Sequence, residues 1–246
     1  MLRIGDVRMA FTDRNSKVSI PPDEVERLGP RAKEVVRQGR EQVATGFGLS
    51  PERVVYMRQV HGARVRYVTG PLGDPPPALD GVCTDQSGLG LAVLVADCAP
   101  VLIADPEAGV VGTAHAGRAG TSTGVIASLV AAMTGRHARS ARMVALVGPA
   151  ICGLCYEVSA GLRDDMVALI PEAFSVSRWG TPGLDLRAAV TAQLHRLGID
   201  DVLHDERCTM ESPELYSYRR EGPTGDFAGY VWREDPNCST GSGDAV

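Results

Sequence analysis

Between Leu89 and Ala116 the chain runs through LAVLVA, DCAP, VLIA, the turn DPEAG and VVGTAHAG with scarcely a polar residue outside the breaks. Apolar runs of this length, cut by Asp, Pro and Gly, suit strands buried on both faces of a sheet and suit little else. The stretch is too short, and too interrupted by Asp97 and Pro100, to cross a bilayer as a helix. Around it the patterns alternate in type. Arg3–Phe11, Val54–Tyr56, Arg64–Val68, Met143–Val147, Val202–Leu203, Tyr216–Arg219 and Tyr230–Arg233 read as further strands, and Asp74-Pro75-Pro76-Pro77 as a stiff connector. Helical spacing appears over Pro30–Gly48, over Gly120–Met133 with Thr121 or Ser122 as N-cap, over Leu162–Ile170 and over Leu186–Leu197. Strands clustered in the middle with helices spread around them predict an α+β fold.

A chain of 246 residues with 44% apolar and 22% charged residues fits one large core. The reading is a single catalytic domain over 1–234, followed by a flexible, Gly- and Ser-rich tail over 235–246. Net charge is −5 and arginines such as Arg37, Arg40, Arg53 and Arg58 are scattered among acids, which argues against nucleic acid as a partner. Met1–Ala10 lacks the apolar core and cleavage site of a signal peptide, so a cytoplasmic protein with no membrane partner is expected. Six cysteines in such a chain, Cys83, Cys98, Cys152, Cys155, Cys208 and Cys238, are expected to be reduced.

Of five histidines, His61 and His115 lie in Gly-flanked turns at strand ends, and Cys98 lies at the break between two buried strands. Two imidazoles and a thiolate make a zinc set with the fourth tetrahedral position open. The separations, 37 and 17 residues, are no local ligand motif, and each residue alone also fits a structural role: a hydrogen-bonded imidazole or a small buried thiol. Asp80 and Asp97 are candidate acid/base groups or supports of a ligand, with turn capping the other reading for Asp80. Arg14, Arg58, Arg219 and Arg220 are the guanidinium groups considered for phosphate, although Arg219 and Arg220 on a regular strand could not both face inward. Cys152-Gly153-Leu154-Cys155 reads as a packed, reduced pair, with a closed zinc site completed by Cys83 or Cys208 as the alternative.

Taken together, QVHGARV, LAVLVADCAPVLIADPEAGVVGTAHAG, GPAICGLCYEV, DLRAAVTAQLHRLGI and CTMESPELYSYRREGPTG resemble, in that order, the YfiH family of laccase-domain or multicopper polyphenol oxidase-like proteins. That family includes the peptidoglycan editing factor and purine nucleoside phosphorylases, and the likeness runs from about Phe11 to Trp232. It implies a layered α/β/β/α sandwich, with zinc held by His61, Cys98 and His115. It also implies a purine nucleoside and phosphate as substrates, with adenosine deamination as a further activity. Two other readings accompany it. A copper polyphenol oxidase would need His-x-His pairs that this chain lacks, although one copper ion could enter the zinc site in vitro. An editing factor for peptidoglycan precursors would use the same pocket. The chain departs from the family in three places: Arg118-Ala119 stands for the usual Trp-Arg after HAG, Asp13-Arg14-Asn15-Ser16 for a Gly-rich loop, and Asp226 for an arginine.

Overall fold

The computed structural model describes residues 1–235, so the tail read over 235–246 lies outside the described residues except for Asp235. Two sheets form the frame. The first has the order β1 (Leu2–Ile4), β2 (Val7–Phe11), β13 (Phe227–Arg233), β6 (Gly90–Val95), β3 (Val54–Val55). The second has the order β12 (Asp201–His204), β9 (Val144–Val147), β7 (Ala99–Asp105), β8 (Val110–Ala116), β5 (Gly81–Thr84), β4 (Val65–Tyr67). A small hairpin joins β10 (Phe174–Val176) to β11 (Pro182–Leu184). The helices are α1 (Pro22–Leu28), α2 (Ala32–Gly46), α3 (Arg118–Ser122), α4 (Val125–Thr134), α5 (Ala160–Leu169), α6 (Leu186–Arg196) and α7 (Tyr218–Glu221). None is long and apolar enough to cross a membrane.

Strand periodicity sorts the apolar side chains into layers. Along β13, Phe227 and Val231 point between the sheets, where they meet Val82, Leu102 and Val111 of the second sheet. Their neighbours Ala228, Tyr230 and Trp232 point the other way, under Val43, Ala44 and Phe47 at the end of α2. Phe47 stacks on Trp232 with ring centroids 5.0 Å apart. On β7 the alternation repeats: Leu102 and Ala104 face the first sheet, whereas Val101 and Ile103 face Leu129 and Met133 of α4 and Leu194 of α6. Each large side chain so buried contributes about 1.5–3 kcal/mol. The result is an α+β fold in the α/β/β/α order that the family resemblance implied.

Three local readings are corrected. Arg3–Phe11 is two antiparallel strands, because Gly5 takes a left-handed φ of 58° and turns the chain. The helix read over Gly120–Met133 is split into α3 and α4 by Gly124 at φ 88°, and Thr121 and Ser122 lie inside α3 instead of capping a helix. Tyr216–Arg219 is no strand: the Ser217 hydroxyl accepts from Arg220 N at 3.2 Å and opens α7 as its N-cap. Arg219 and Arg220 therefore share a helical turn.

One buried carboxylate ties the end of β7 to the segment after α4. Asp105 is fully buried and accepts from Glu107 N, Ala108 N, Arg139 N and the Arg142 guanidinium at 2.8–3.1 Å. Burial pushes its carboxyl up, but the bonds from Ala108, Arg139 and Arg142 outweigh burial and hold it below the usual range. Asp105→Asn is expected to cost about 2 kcal/mol of stability, read as a lower urea midpoint. Since the folded value is the lower one, the contribution is complete above the unfolded value of about 3.9 and is lost as pH falls through the folded value.

Candidate metal centre

The chain passes from the first sheet to the second twice, between β3 and β4 and between β6 and β7. His61 lies in the first crossing and Cys98 in the second. His115 comes from β8, where alternation puts it on the inter-sheet face used by Val111. The pairing of β7 with β8 sets Pro100 opposite His115 and Ala99 opposite Ala116, which carries Cys98 to the end of the ladder beside Gly117.

Asp80, fully buried just before β5, organises the group. Its carboxylate accepts from three consecutive amides, Val60 N at 3.1 Å, His61 N at 2.9 Å and Gly62 N at 2.8 Å. This is a backbone nest for an anion, completed by the left-handed φ of 59° at His61. The same carboxylate lies 3.0 Å from His115 Nδ1. With Nδ1–H donating to Asp80, the Nε2 lone pair of His115 is left for a cation.

Cys98 Sγ lies 3.8 Å from His61 Nε2, and the ligand atoms of His61, Cys98 and His115 are all within 4.8 Å of one another. Ligand atoms around tetrahedral zinc, at bond lengths near 2.0 and 2.3 Å, stand roughly 3.3–3.8 Å apart, so small rotamer adjustments seat the ion. Burial pushes the Cys98 thiol up, but hydrogen bonds with His115 and His61 prevail and bring it down to about 7. Burial lowers His115, yet the bonds to Asp80 and Cys98 raise it to about 9. His115 is 3% exposed whereas His61 is exposed, so one side of the trio opens outward.

That side faces a cavity of about 470 Å³, whose wall adds Met57, Leu94, Val95, Tyr218, Thr224 and Asp226 to the trio. A larger groove of about 590 Å³ lies elsewhere, along Arg187, His195, Arg196 and Glu206. Its arginines are spent on Glu206 and Glu172, and it holds none of the trio. Gly117 is required by close approach: a Cβ there would stand 2.8 Å from Cys98 Sγ and 3.0 Å from His61 Cδ2. Gly117→Ala is expected to weaken metal binding about 10-fold or more, measured by competition with a chelator, while the fold survives.

The other residues singled out in the sequence are dispersed. Asp97, at φ 90°, accepts from Thr209 Oγ1 at 2.5 Å and from Arg219 N at 2.7 Å, so it anchors the turn that carries Cys98. Arg219 Nη1 donates to Glu157 O at 2.8 Å, with its guanidinium over the Tyr156 ring. Arg220 is committed to the carbonyls of Thr209, Met210, Ser212 and Leu215. Arg14 pairs with Glu221, lies over Tyr216, and lines a neighbouring groove that shares Thr224 with the cavity. Arg58 is exposed and outside the cavity wall, its backbone bridged to Ala78.

Sequence reasoning did not propose Arg118, Tyr156, Tyr218 or Asp226. The Tyr156 phenol is pushed up first by burial and then by Cys98, against the cations of Arg118 and Arg219, which places both arginines around it. Among the described residues Asp226 pairs with no cation; its carboxyl is pushed up by burial and accepts from Ser19 Oγ at 3.0 Å. Arg118 and Asp226 were legible only as departures from a pattern, and Tyr218 only as part of SYRR.

Comparison with known proteins matches residues 8–234 to the family described as multi-copper polyphenol oxidoreductase laccase. A purine nucleoside phosphorylase of Streptomyces coelicolor is 48% identical over 93% of this chain and 96% of its own. A purine nucleoside phosphorylase of Deinococcus radiodurans is 37% identical over 88% and 85%. Among solved structures, the Bacillus licheniformis hypothetical protein YfiH superposes with a TM-score of 0.79 at 29% identity, covering 93% of each chain. A Neisseria meningitidis protein gives 0.78 at 31% identity, covering 94% of this chain and 96% of its own.

Proposed function

We infer that this chain, which belongs to the multi-copper polyphenol oxidoreductase laccase family, is a zinc-dependent purine nucleoside phosphorylase. The observation that carries the reading is a three-ligand centre with an open side facing a nucleoside-sized cavity, in a chain 48% identical along nearly its whole length to a protein of that name. In the reaction the glycosidic C–N bond breaks, a C–O bond to phosphate forms, and the purine leaves with a proton. Bound at His61, Cys98 and His115, zinc would supply a positive centre, of about one net charge, that attracts and orients phosphate.

The chain's own residues divide the remaining work. Met57, Leu94 and Val95 give the nucleoside an apolar wall, and Tyr218, 61% exposed at the rim, offers a ring for the base where the family's tryptophan is missing. Arg118 and Arg219, flanking Tyr156 beside Cys98, are the guanidinium groups for phosphate. Asp226, whose carboxyl burial pushes up, lines the cavity and is the acid assigned to the departing purine nitrogen. Asp226→Asn is expected to lower kcat about 100-fold. Because the protonated form is the active one and its pKa is raised, wild-type turnover should fall as pH rises through that value, and the variant should lack this limb.

Release of base from inosine and adenosine, with and without phosphate, tests the reading. Release that requires phosphate and disappears in His115→Ala is expected; release that ignores phosphate, or that survives in His115→Ala, would reject it. Deamination of adenosine is the second reading, favoured by the open side of the centre, where a water could be held. It would register as ammonia formed without phosphate. Copper can also take this donor set, so the ion carried by the purified chain is to be identified by elemental analysis.

A further inference from the structure

We propose that Cys152, Cys155, Cys208 and Glu211 form a second centre, a closed structural zinc site that clasps the segment following β9 to the segment following β12. Their four ligand atoms, three sulfurs and a carboxylate oxygen, all lie within 4.8 Å of one another. Ligand atoms around a tetrahedral zinc stand roughly 3.5–3.8 Å apart, a spacing that falls within this bound. Cys83, the other candidate partner for the CxxC pair, is buried instead in the core beneath α4.

The two halves of the cluster are built alike. Cys152 and Cys155 are three residues apart, as are Cys208 and Glu211. Each pair brackets a turn of the same kind: Cys155 N donates to Cys152 O at 2.9 Å, and Glu211 N to Cys208 O at 3.0 Å. Paired turns carrying ligands at i and i+3 are how short segments present donors to zinc. Sequence spacing alone conceals the second half, because its fourth ligand is a carboxylate and not another cysteine.

The surroundings suit sulfur that carries negative charge. Cys152 N donates to Cys208 Sγ at 3.3 Å, and Arg178 Nη2 donates to Cys155 Sγ at 2.9 Å while pairing with Glu211. Neutral thiols are weak acceptors and would gain little from an amide and a guanidinium. Three thiolates and a carboxylate around a divalent cation leave negative charge that Arg178 partly offsets. A redox pair fits less well. Cys155 and Cys208 are buried, whereas a reactive CxxC needs an exposed sulfur. A disulfide would join two sulfurs and leave the third facing Glu211 without purpose.

The centre would brace the cavity from behind. Ala150 bridges to Cys208, Thr209 N donates to Ala150 O at 3.2 Å, and Ile151 N donates to Asp97 O at 3.0 Å. Thr209 also holds Asp97, and its carbonyl receives Arg220. Both the turn bearing Cys98 and the helix bearing Tyr218 and Arg219 therefore rest on the clasped segments.

The test reads metal and not turnover, so it is independent of the proposed reaction. The full chain, purified from zinc-supplemented medium, is compared with Cys98→Ala, in which the first centre is broken. Wild type should hold about two zinc ions, and Cys98→Ala about one, resistant to a chelator. Cobalt-loaded Cys98→Ala should show a strong thiolate-to-cobalt charge-transfer band that is absent from Cys98→Ala/Cys208→Ser. Should Cys208→Ser misfold, Glu211→Gln in the Cys98→Ala background keeps the shape and should release zinc to the chelator at least about 10-fold faster. Cys98→Ala without bound zinc, or a freshly purified chain with Cys152 and Cys155 joined in a disulfide by intact mass, would overturn the proposal.

Discussion

Cys98→Ala is expected to lose the ion of the open centre and the phosphorolysis together, with kcat/KM falling about 1000-fold. The sulfur is the only anionic ligand among the three, and it is the group whose charge the site already favours, at about 7. Its removal leaves two imidazoles, one of them exposed and the other drawn toward protonation by Asp80. Two neutral donors, competing with protons, hold zinc poorly. Zinc per chain and phosphate-dependent base release are to be measured on the same preparations. A variant that keeps its full metal complement and its turnover would remove Cys98 from the centre.

Asp80→Asn should lower metal affinity 10- to 100-fold, roughly the effect of losing a partner that orients a ligand. The reason is a mismatch of donors. Asp80 presents two accepting oxygens to four N–H groups, those of Val60, His61, Gly62 and the His115 ring. An amide offers one oxygen and turns an NH2 toward the rest. Either the His115 tautomer inverts, placing a proton where the cation binds, or the loop bearing His61 is released. Asp80→Ala should in addition lower stability by about 1–3 kcal/mol, because buried donors lose their partner. Zinc competition and thermal unfolding separate the two effects; unchanged zinc affinity in Asp80→Asn would show that the carboxylate only shapes the turn. Burial raises the Asp80 carboxyl, but the bonds from His115, Gly62 and Val60 leave it lowered, so its contribution is present above about 3.9 and fades as pH falls through the folded value.

The layered architecture was legible because Leu89–Ala116 can be satisfied only between two covering layers, and the alternation along β7 and β8 distributes its side chains accordingly. His61, Cys98 and His115 stand out as two Gly-flanked histidines and a cysteine between two apolar runs, while their union in one site was what the family resemblance implied. Asp80 drew three readings, acid/base group, ligand support or turn cap, and it bonds both to the 60–62 amides and to His115. Other features depended on partners and backbone angles that hydrophobic periodicity does not register. Ser217 looks like a strand residue until its hydroxyl finds the Arg220 amide, and Gly124 looks like an ordinary helical position until its φ is known. The destination of an arginine is harder still. Arg14 finds Glu221, and Arg220 finds four carbonyls within 11 residues, neither of which periodicity reveals. Cys208 and Glu211 reach the CxxC turn across more than 50 residues.

The two crossings between sheets bear on how long the molecule lasts as well as on what it does. His61 and Cys98 sit on the two strips of backbone where the first layer hands the chain to the second, and His115 is rooted in that second layer. An ion held by all three is a rivet through the seam: the layers cannot part there without surrendering it. Its binding energy is then shared with cohesion of the sandwich, adding about 2.7 kcal/mol when free ion stands at 100 times its dissociation constant and nothing when the ion is scarce. Supply of the metal would thus set the turnover of the polypeptide itself, since a starved chain opens more often and meets proteases more often.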